Sequence, residues 1–191
     1  MATEFGDPLP RDCQVVEVHV KELGQLFNAM DPAPFRERDL DPNAEAFIVE
    51  SVKELHHHER PLALVVLVDR EAISADDAAV VKNAVHQYFG SRARATRLKL
   101  RELFKNGRKS LVIGLVCVAA TVLGSDLVQT MFEGRRFTNV ISESLVIGGW
   151  VAMWRPLEVF LYEWWPIRAE ARLHTRLSEM PVRVVQHAHA H

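Results

Sequence analysis

The feature that most constrains this chain is a pair of apolar stretches between Leu111 and Trp165. Residues 111–124 read LVIGLVCVAATVLG, fourteen positions without a charge. Extended to Phe132, the segment is 22 residues long and holds one charge, Asp126. A second stretch, from Asn139 to Trp154, also holds one charge, Glu143. A helix needs about 20 mainly apolar residues to cross the hydrocarbon of a bilayer. The pattern predicts a transmembrane helical hairpin over 111–165, turned by EGRRF (133–137), with the rest of the chain on one side of the membrane.

Charge divides the sequence in the same way. Residues 1–91 carry 8 Lys+Arg against 17 Asp+Glu, a net of −9. Residues 92–191 carry 15 against 8, a net of +7. An acidic soluble region therefore precedes a basic, membrane-associated one. The acidic half argues against nucleic acid as a partner, and lipid headgroups are the simpler explanation of the basic half. The N-terminal MATEFGDPLPRD is polar and acidic, unlike a signal peptide, so the first span is expected to act as the insertion signal. Cys13, placed in the first strand, and Cys117, in the first span, lack metal or redox spacing and read as small buried hydrophobes.

The soluble part reads as a small α/β domain. Val16, Val18 and Val20 alternate within QVVEVHV, which predicts a half-buried strand. One or two helical turns follow in KELGQLFNAM, then a stiff loop with Pro32, Pro34 and Pro42. Asp41 is a good N-cap with Pro42 at the first helical position. Ala44, Phe47, Ile48, Ser51, Val52 and Leu55 then recur at helical spacing. LALVVLV (62–68) predicts a buried central strand, parallel to the first across the intervening helix. Ser74 with Asp77 makes a capping-box start. The helix it opens is expected to reach Asn106, with Gly90 and Gly107 as points of bending or breakage. Residues 166–180 predict a C-terminal helix that Pro181 ends, and VRVV (182–185) is available as a further strand. Two strands alone are marginal, so a third is expected from this C-terminal segment or from a second subunit.

Orientation follows the distribution of Lys and Arg. Residues 92–109 hold eight against one Glu, and Arg168, Arg172 and Arg176 follow the second stretch. The connecting turn has Arg135 and Arg136, offset by Glu133. Both termini are therefore expected in the cytoplasm. Arg97, Arg101, Lys105 and Arg108 form a basic face for anionic lipid, beside an apolar face of Leu100, Leu103, Phe104 and Leu111. All four tryptophans, 150, 154, 164 and 165, lie in or after the second stretch and with Phe160 and Tyr162 form an aromatic belt. Pro156 is expected to kink or end the second span, so that 157–165 crosses or lies along the interface.

Charged residues in a span are functional candidates. These are Asp126 and Glu143, which sit at similar depth if the helices cross in register, and Arg155, which reaches headgroups or pairs with Glu158 one turn on. The simpler reading of the carboxylates is solvation near the outer surface or pairing with Arg135 and Arg136. Ala120/Gly124 and Gly148/Ala152 are small-residue pairs that permit close helix approach. In the soluble region Asp31, Arg36, Arg38 and Asp39 form a docking loop, or the lip of a small-molecule site, and Asp41 caps the next helix. His56, His57 and His58 point about 100° apart on a helix and cannot converge on one metal, although one of them could join His86. His187, His189 and His191 alternate in a tail. GxGxxG, P-loop, GxSxG and HExxH motifs are all absent from the sequence. No catalytic, cofactor-binding or metal-binding set is assigned.

Two blocks, DPAPFRERDLDPNAEAFI (31–48) and GGWVAMWRPLEVFLYEWWPIR (148–168), resemble an uncharacterised family of small bacterial inner-membrane proteins. The resemblance implies an α/β region before a two-helix membrane hairpin, and a bacterial cytoplasmic-membrane location. It brings no catalytic residues with it.

The expected fold is an α+β membrane protein. A cytoplasmic βαβα domain (1–91) leads through a basic juxtamembrane helix (92–110) into the hairpin (111–165). A cytoplasmic C-terminal amphipathic helix and tail (166–191) follow. The expected role is non-enzymatic and needs no cofactor: a scaffold or partner-recruiting module that self-associates, as a homo-oligomer, or binds a membrane or cytoplasmic protein. The alternative is a small oligomeric channel or transporter lined by Asp126 and Glu143. A remoter reading is an enzyme built on the 31–41 cluster.

Overall fold

The computed structural model describes residues 3–29, 39–55, 60–69, 73–131 and 138–186. The chain is a mixed α+β protein, mostly helical, with one four-stranded sheet. It forms two compact units, Met1–Arg94 with Arg172–His191, and Ala95–Ala171.

The first unit holds the sheet. Its strands are β1 (Thr3–Gly6), β2 (Gln14–Val20), β3 (Leu62–Val68) and β4 (Val182–Gln186), in the order β1-β4-β3-β2. β2 and β3 are parallel, joined through helix α1 (Pro42–Glu54), as the strand–helix–strand pattern predicts. The VRVV segment does become a strand. It lies inside the sheet, parallel to β3 and antiparallel to β1. β1 was not anticipated: four residues with a charged Glu4 give no period to read.

One face of the sheet carries the core. Val16 and Val18 of β2, Leu64, Val66 and Val68 of β3, and Val182 and Val184 of β4 are all buried. Ile48 and Val52 of α1 close over them, with Val81, Val85 and Phe89 from helix α2 (Ala75–Met131) and Leu177 from helix α4 (Trp164–Glu179). Phe47 departs from the expected apolar stripe of α1: it is 51% exposed, and Val49 packs against the core instead. Asp41 caps α1 through Asn43 N–H at 2.8 Å. Ser74 and Asp77 cap α2 reciprocally, which holds the Asp77 carboxyl below its ordinary value through the Ser74 hydrogen bonds.

α2 does not stop near Asn106 or break at Gly90 or Gly107; it continues to Met131. Each glycine costs about 1 kcal/mol relative to Ala, which packing readily offsets. Helix α3 (Thr138–Glu158) follows, and Pro156 neither ends nor breaks the helical path. A π-helical turn (Val159–Glu163) carries it directly into α4. α2 and the α3–α4 path each contain a stretch long and apolar enough to cross a membrane.

The join of β1 to β4 depends on Gly6. Its φ is +117°, and a Cβ there would lie 2.5 Å from the Val182 carbonyl oxygen. That conformation turns Asp7 so that its N–H donates to Val182 at 3.1 Å, while its carboxylate meets Lys82 Nζ of α2 at 2.7 Å. Arg183 completes the corner by donating to Glu4 at 2.9 Å and to the Asp7 carbonyl.

Gly6→Ala is expected to destabilise the first unit by about 1–3 kcal/mol, since an L side chain is strained there and also strikes backbone. Urea or thermal unfolding followed by circular dichroism reads the loss. The Lys82 hydrogen bond is the main reason the Asp7 carboxyl lies below its ordinary value. A depressed carboxyl stabilises the fold above about pH 4 and loses that contribution as pH falls. The pair is partly exposed, so Asp7→Asn should lower Tm at pH 7 by only about 1–3 °C. The gap from the unmodified chain should close near pH 3.

Candidate functional site

The second unit is a helical hairpin with a seam of small residues. α2 and α3 run antiparallel, as the successive contacts show. Ser125 meets Ser142 through their hydroxyls, both side chains buried. Gly149 abuts Thr121 and the backbone of Val118. Gly114 abuts Ala152, Met153 and Pro156, and Gly107 abuts Val159 and Phe160. Phe104 then stacks obliquely on Phe160 and Trp164, with centroids 6.2 and 6.4 Å away. Gly107, Gly114 and Thr121 recur every seven residues, the repeat that keeps one stripe facing a partner helix.

Gly114 answers Pro156. Pro156 has no N–H, so the carbonyl of Ala152 loses its donor within the helix. That oxygen faces Gly114, 3.3 Å from where a Cβ would sit. A glycine lets the neighbouring backbone come this close without a tight Cβ contact, and its Cα–H groups offer a weak partner. Beyond Pro156 the π-turn inserts one extra residue. Inward positions 142, 145, 149, 152, 156 and 159 alternate steps of three and four. After the turn they continue at 163, 167 and 171 in steps of four. Trp164 Nε1 donates to the Phe160 carbonyl at 2.9 Å, supplying a donor where the backbone ladder is widened.

The expected small-residue pairs are therefore only partly used. A Cβ at Gly124 would come no nearer than 4.0 Å to Leu145 and one at Gly148 would meet nothing within 4 Å, whereas Gly149 takes the seam position. Asp126 and Glu143 each follow a seam serine by one residue, which turns them about 100° away. Both are exposed on the outside of the hairpin, not brought together inside it. Arg155 pairs with Glu158 at 2.9 Å, as its spacing predicts, and also with Glu163 at 2.5 Å. The second carboxylate offsets its charge, which weakens any attraction to a headgroup phosphate. Beside it Ile147, Trp150, Val151 and Trp154 line a shallow apolar groove on α3.

Arg97, Arg101, Lys105 and Arg108 are all exposed along α2, and Leu100, Leu103, Phe104 and Leu111 beside them are half-buried. Arg168 lies over the Trp164 ring at 5.5 Å, while Arg176 donates to the Arg60 carbonyl at 2.7 Å and so holds α4 to the start of β3. Asp39 is exposed, and its carbonyl accepts from Asn28 N–H. Asp31, Arg36 and Arg38 lie outside the described residues, as do His56–His58, Arg135, Arg136 and the histidines of the tail. His86 meets the Met180 carbonyl at 2.8 Å. Among the described residues no three His, Cys, Asp or Glu side chains are placed to hold a metal ion.

One polar cluster escaped the sequence reading. Glu45 of α1 accepts from the Tyr88 hydroxyl at 2.5 Å and from Arg92 at 2.8 Å, with the guanidinium also over the Tyr88 ring. Burial first, and then the bond to Glu45, raises the Tyr88 phenol above its ordinary value. The phenol therefore stays a donor, and the cluster latches α1 to α2. Its members lie 43 and 47 residues apart, a separation no local pattern reveals.

Compared with protein-family models, curated proteins and solved structures, the chain matches none.

The seam makes a paired prediction. Gly149→Val should cost about 1–3 kcal/mol by overpacking against Thr121 and Val118, whereas Gly148→Val should stay within about 0.5 kcal/mol. Thermal unfolding of both variants in one detergent compares them. Equal damage would mean that the seam does not run through Gly149.

Proposed function

We propose that this chain is an integral protein of the bacterial cytoplasmic membrane. Its hairpin anchors a cytoplasmic α/β unit that acts as a scaffold, self-associating or recruiting a partner, without chemistry of its own. One observation carries the anchoring. The most apolar stretches of α2 and of the α3–α4 path are only 11% and 17% buried. Ile113, Val116, Leu123, Ile147, Trp150, Val151 and Trp154 are each more than 60% exposed. Soluble monomers rarely expose continuous apolar surface on this scale. The 21 residues of α3 span about 30 Å, close to the thickness of a bilayer's hydrocarbon core.

The flanking chemistry agrees. Exposed Arg and Lys of α2 precede the apolar band and suit an anionic cytoplasmic leaflet. Trp154, Tyr162 and Trp165, all exposed, suit a headgroup layer. The resemblance of residues 31–48 and 148–168 to a family of small bacterial inner-membrane proteins points the same way.

Expressed in bacteria, the full chain should remain in the membrane pellet after alkaline carbonate extraction. Green fluorescent protein fused after His191 should fluoresce, and alkaline phosphatase inserted at 133–137 should be active. Release by carbonate would overturn the anchor, and the opposite reporter pattern would overturn the orientation.

A further inference from the structure

The sheet of the first unit ends at β2 on one side, and among the described residues that edge is unpaired. β2 is the outermost strand next to β3. Gln14 N–H donates to the Pro61 carbonyl at 2.8 Å, and the Val20 carbonyl accepts from Asp69 N–H at 3.2 Å. In a parallel pair, residues with this parity turn both backbone groups to one neighbour. Gln14, Val16, Val18 and Val20 therefore serve β3, and Val15, Glu17 and His19 turn their N–H and C=O outward. Among the described residues nothing meets those groups. The edge is bounded at both ends, because Cys13 N–H donates to Pro10 and Lys21 N–H donates to Gln25 Oε1 at 3.0 Å. An open run of strand backbone is a template for another strand.

We infer that a second copy of this chain pairs its β2 antiparallel with this edge, about a two-fold axis through Val18, joining two four-stranded sheets into one. The inference deepens the self-association proposed above and rests on it. The choice of register follows from charge and from which N–H groups are free. Centring the axis on Glu17 sets that carboxylate against its own copy, a like-charge pair that destabilises. Centring it on His19 leaves one complete outward pair, His19 with its own copy, because Glu17 then falls opposite Lys21, whose N–H is already used by Gln25; the Val18 axis keeps two. Centring it on Val18 sets each Glu17 beside the second copy's His19, twice over by symmetry. Both are outward-turned residues, so each pair exchanges both backbone hydrogen bonds.

The other side of the strand agrees with the same axis. Val18 then lies opposite Val18, and Val16 opposite Val20, all on the face that carries the core. Val16 and Val18 are 2% and 6% exposed. Branched pairs of this kind pack well across strands. The contact is isologous, so it closes at two copies and leaves no further edge at β2.

The parity supplies a clean test. Proline at position 17 removes an outward N–H that no bond within the chain uses, and edge strands tolerate proline on that side. Full-length protein in detergent or nanodiscs should be dimeric by mass photometry or analytical ultracentrifugation. Glu17→Pro should raise its dissociation constant at least tenfold while leaving the circular dichroism of the folded chain unchanged. A charge swap covers the case where proline unfolds the strand. His19→Glu alone should weaken the dimer by creating Glu–Glu pairs, and adding Glu17→Lys should restore it. A dimer that survives Glu17→Pro in a folded protein overturns the edge but leaves self-association standing. A wild-type monomer overturns both, and neither result bears on carbonate extraction.

Discussion

The pairing of β4 between β3 and β1 is the constraint from which the architecture follows. β3 leaves the sheet at Val68, and its partner does not begin until Val182. Everything between is a single crossover joining two parallel strands, and the apolar hairpin is an excursion within it. The sheet therefore draws on both ends of the sequence, Met1–Arg94 and Arg172–His191. Val182 and Val184 are core residues, so the C-terminal strand is not an ornament on a finished domain. The small devices of the first unit converge on it. Gly6 gives way to its backbone, Arg183 reaches Glu4, and Arg176 fastens the preceding helix to Arg60, two residues before β3.

In the second unit the same economy appears as a match between residues that break helices and residues that permit close approach. Pro156 deprives one carbonyl of its donor, and Gly114 lets the facing backbone come up to it. The π-turn then adds a residue, so the inward stripe after it is shifted by one place. Without that shift α4 would turn a different set of side chains inward. Ala171, the last residue of that unit, is buried where the shifted register places it.

Local signals were legible where a single element set them. The alternation of β2, the apolar run of β3, the Asp41 cap and the Ser74–Asp77 box all depend on neighbours within four residues. What was not legible depends on distance or on rotation. Spacing identified small-residue pairs but not which face of α3 turns inward, hence Gly149 and not Gly148. Arg155 and Glu163 are eight residues apart and meet across a π-turn, a spacing regular helical geometry does not lead one to examine. Gly90 and Gly107 looked like breaks because propensity was weighed alone, whereas Gly107 is where Val159 packs. The candidate site divides likewise. Asp126 and Glu143 were found by composition, and the serines that join the helices beside them were not.

The place of β4 in the sheet also sets an order of assembly. A ribosome makes β1, β2, α1 and β3 first, but these cannot close into their final sheet, because β1 touches it only through β4. Both long apolar helices must be synthesised before that strand exists. The first unit is thus the last part of the chain to finish, although most of it is the first to be made. β1 and one edge of β3 must wait unpaired until the hairpin has emerged and β4 is made, although β2 and β3 already pair with each other.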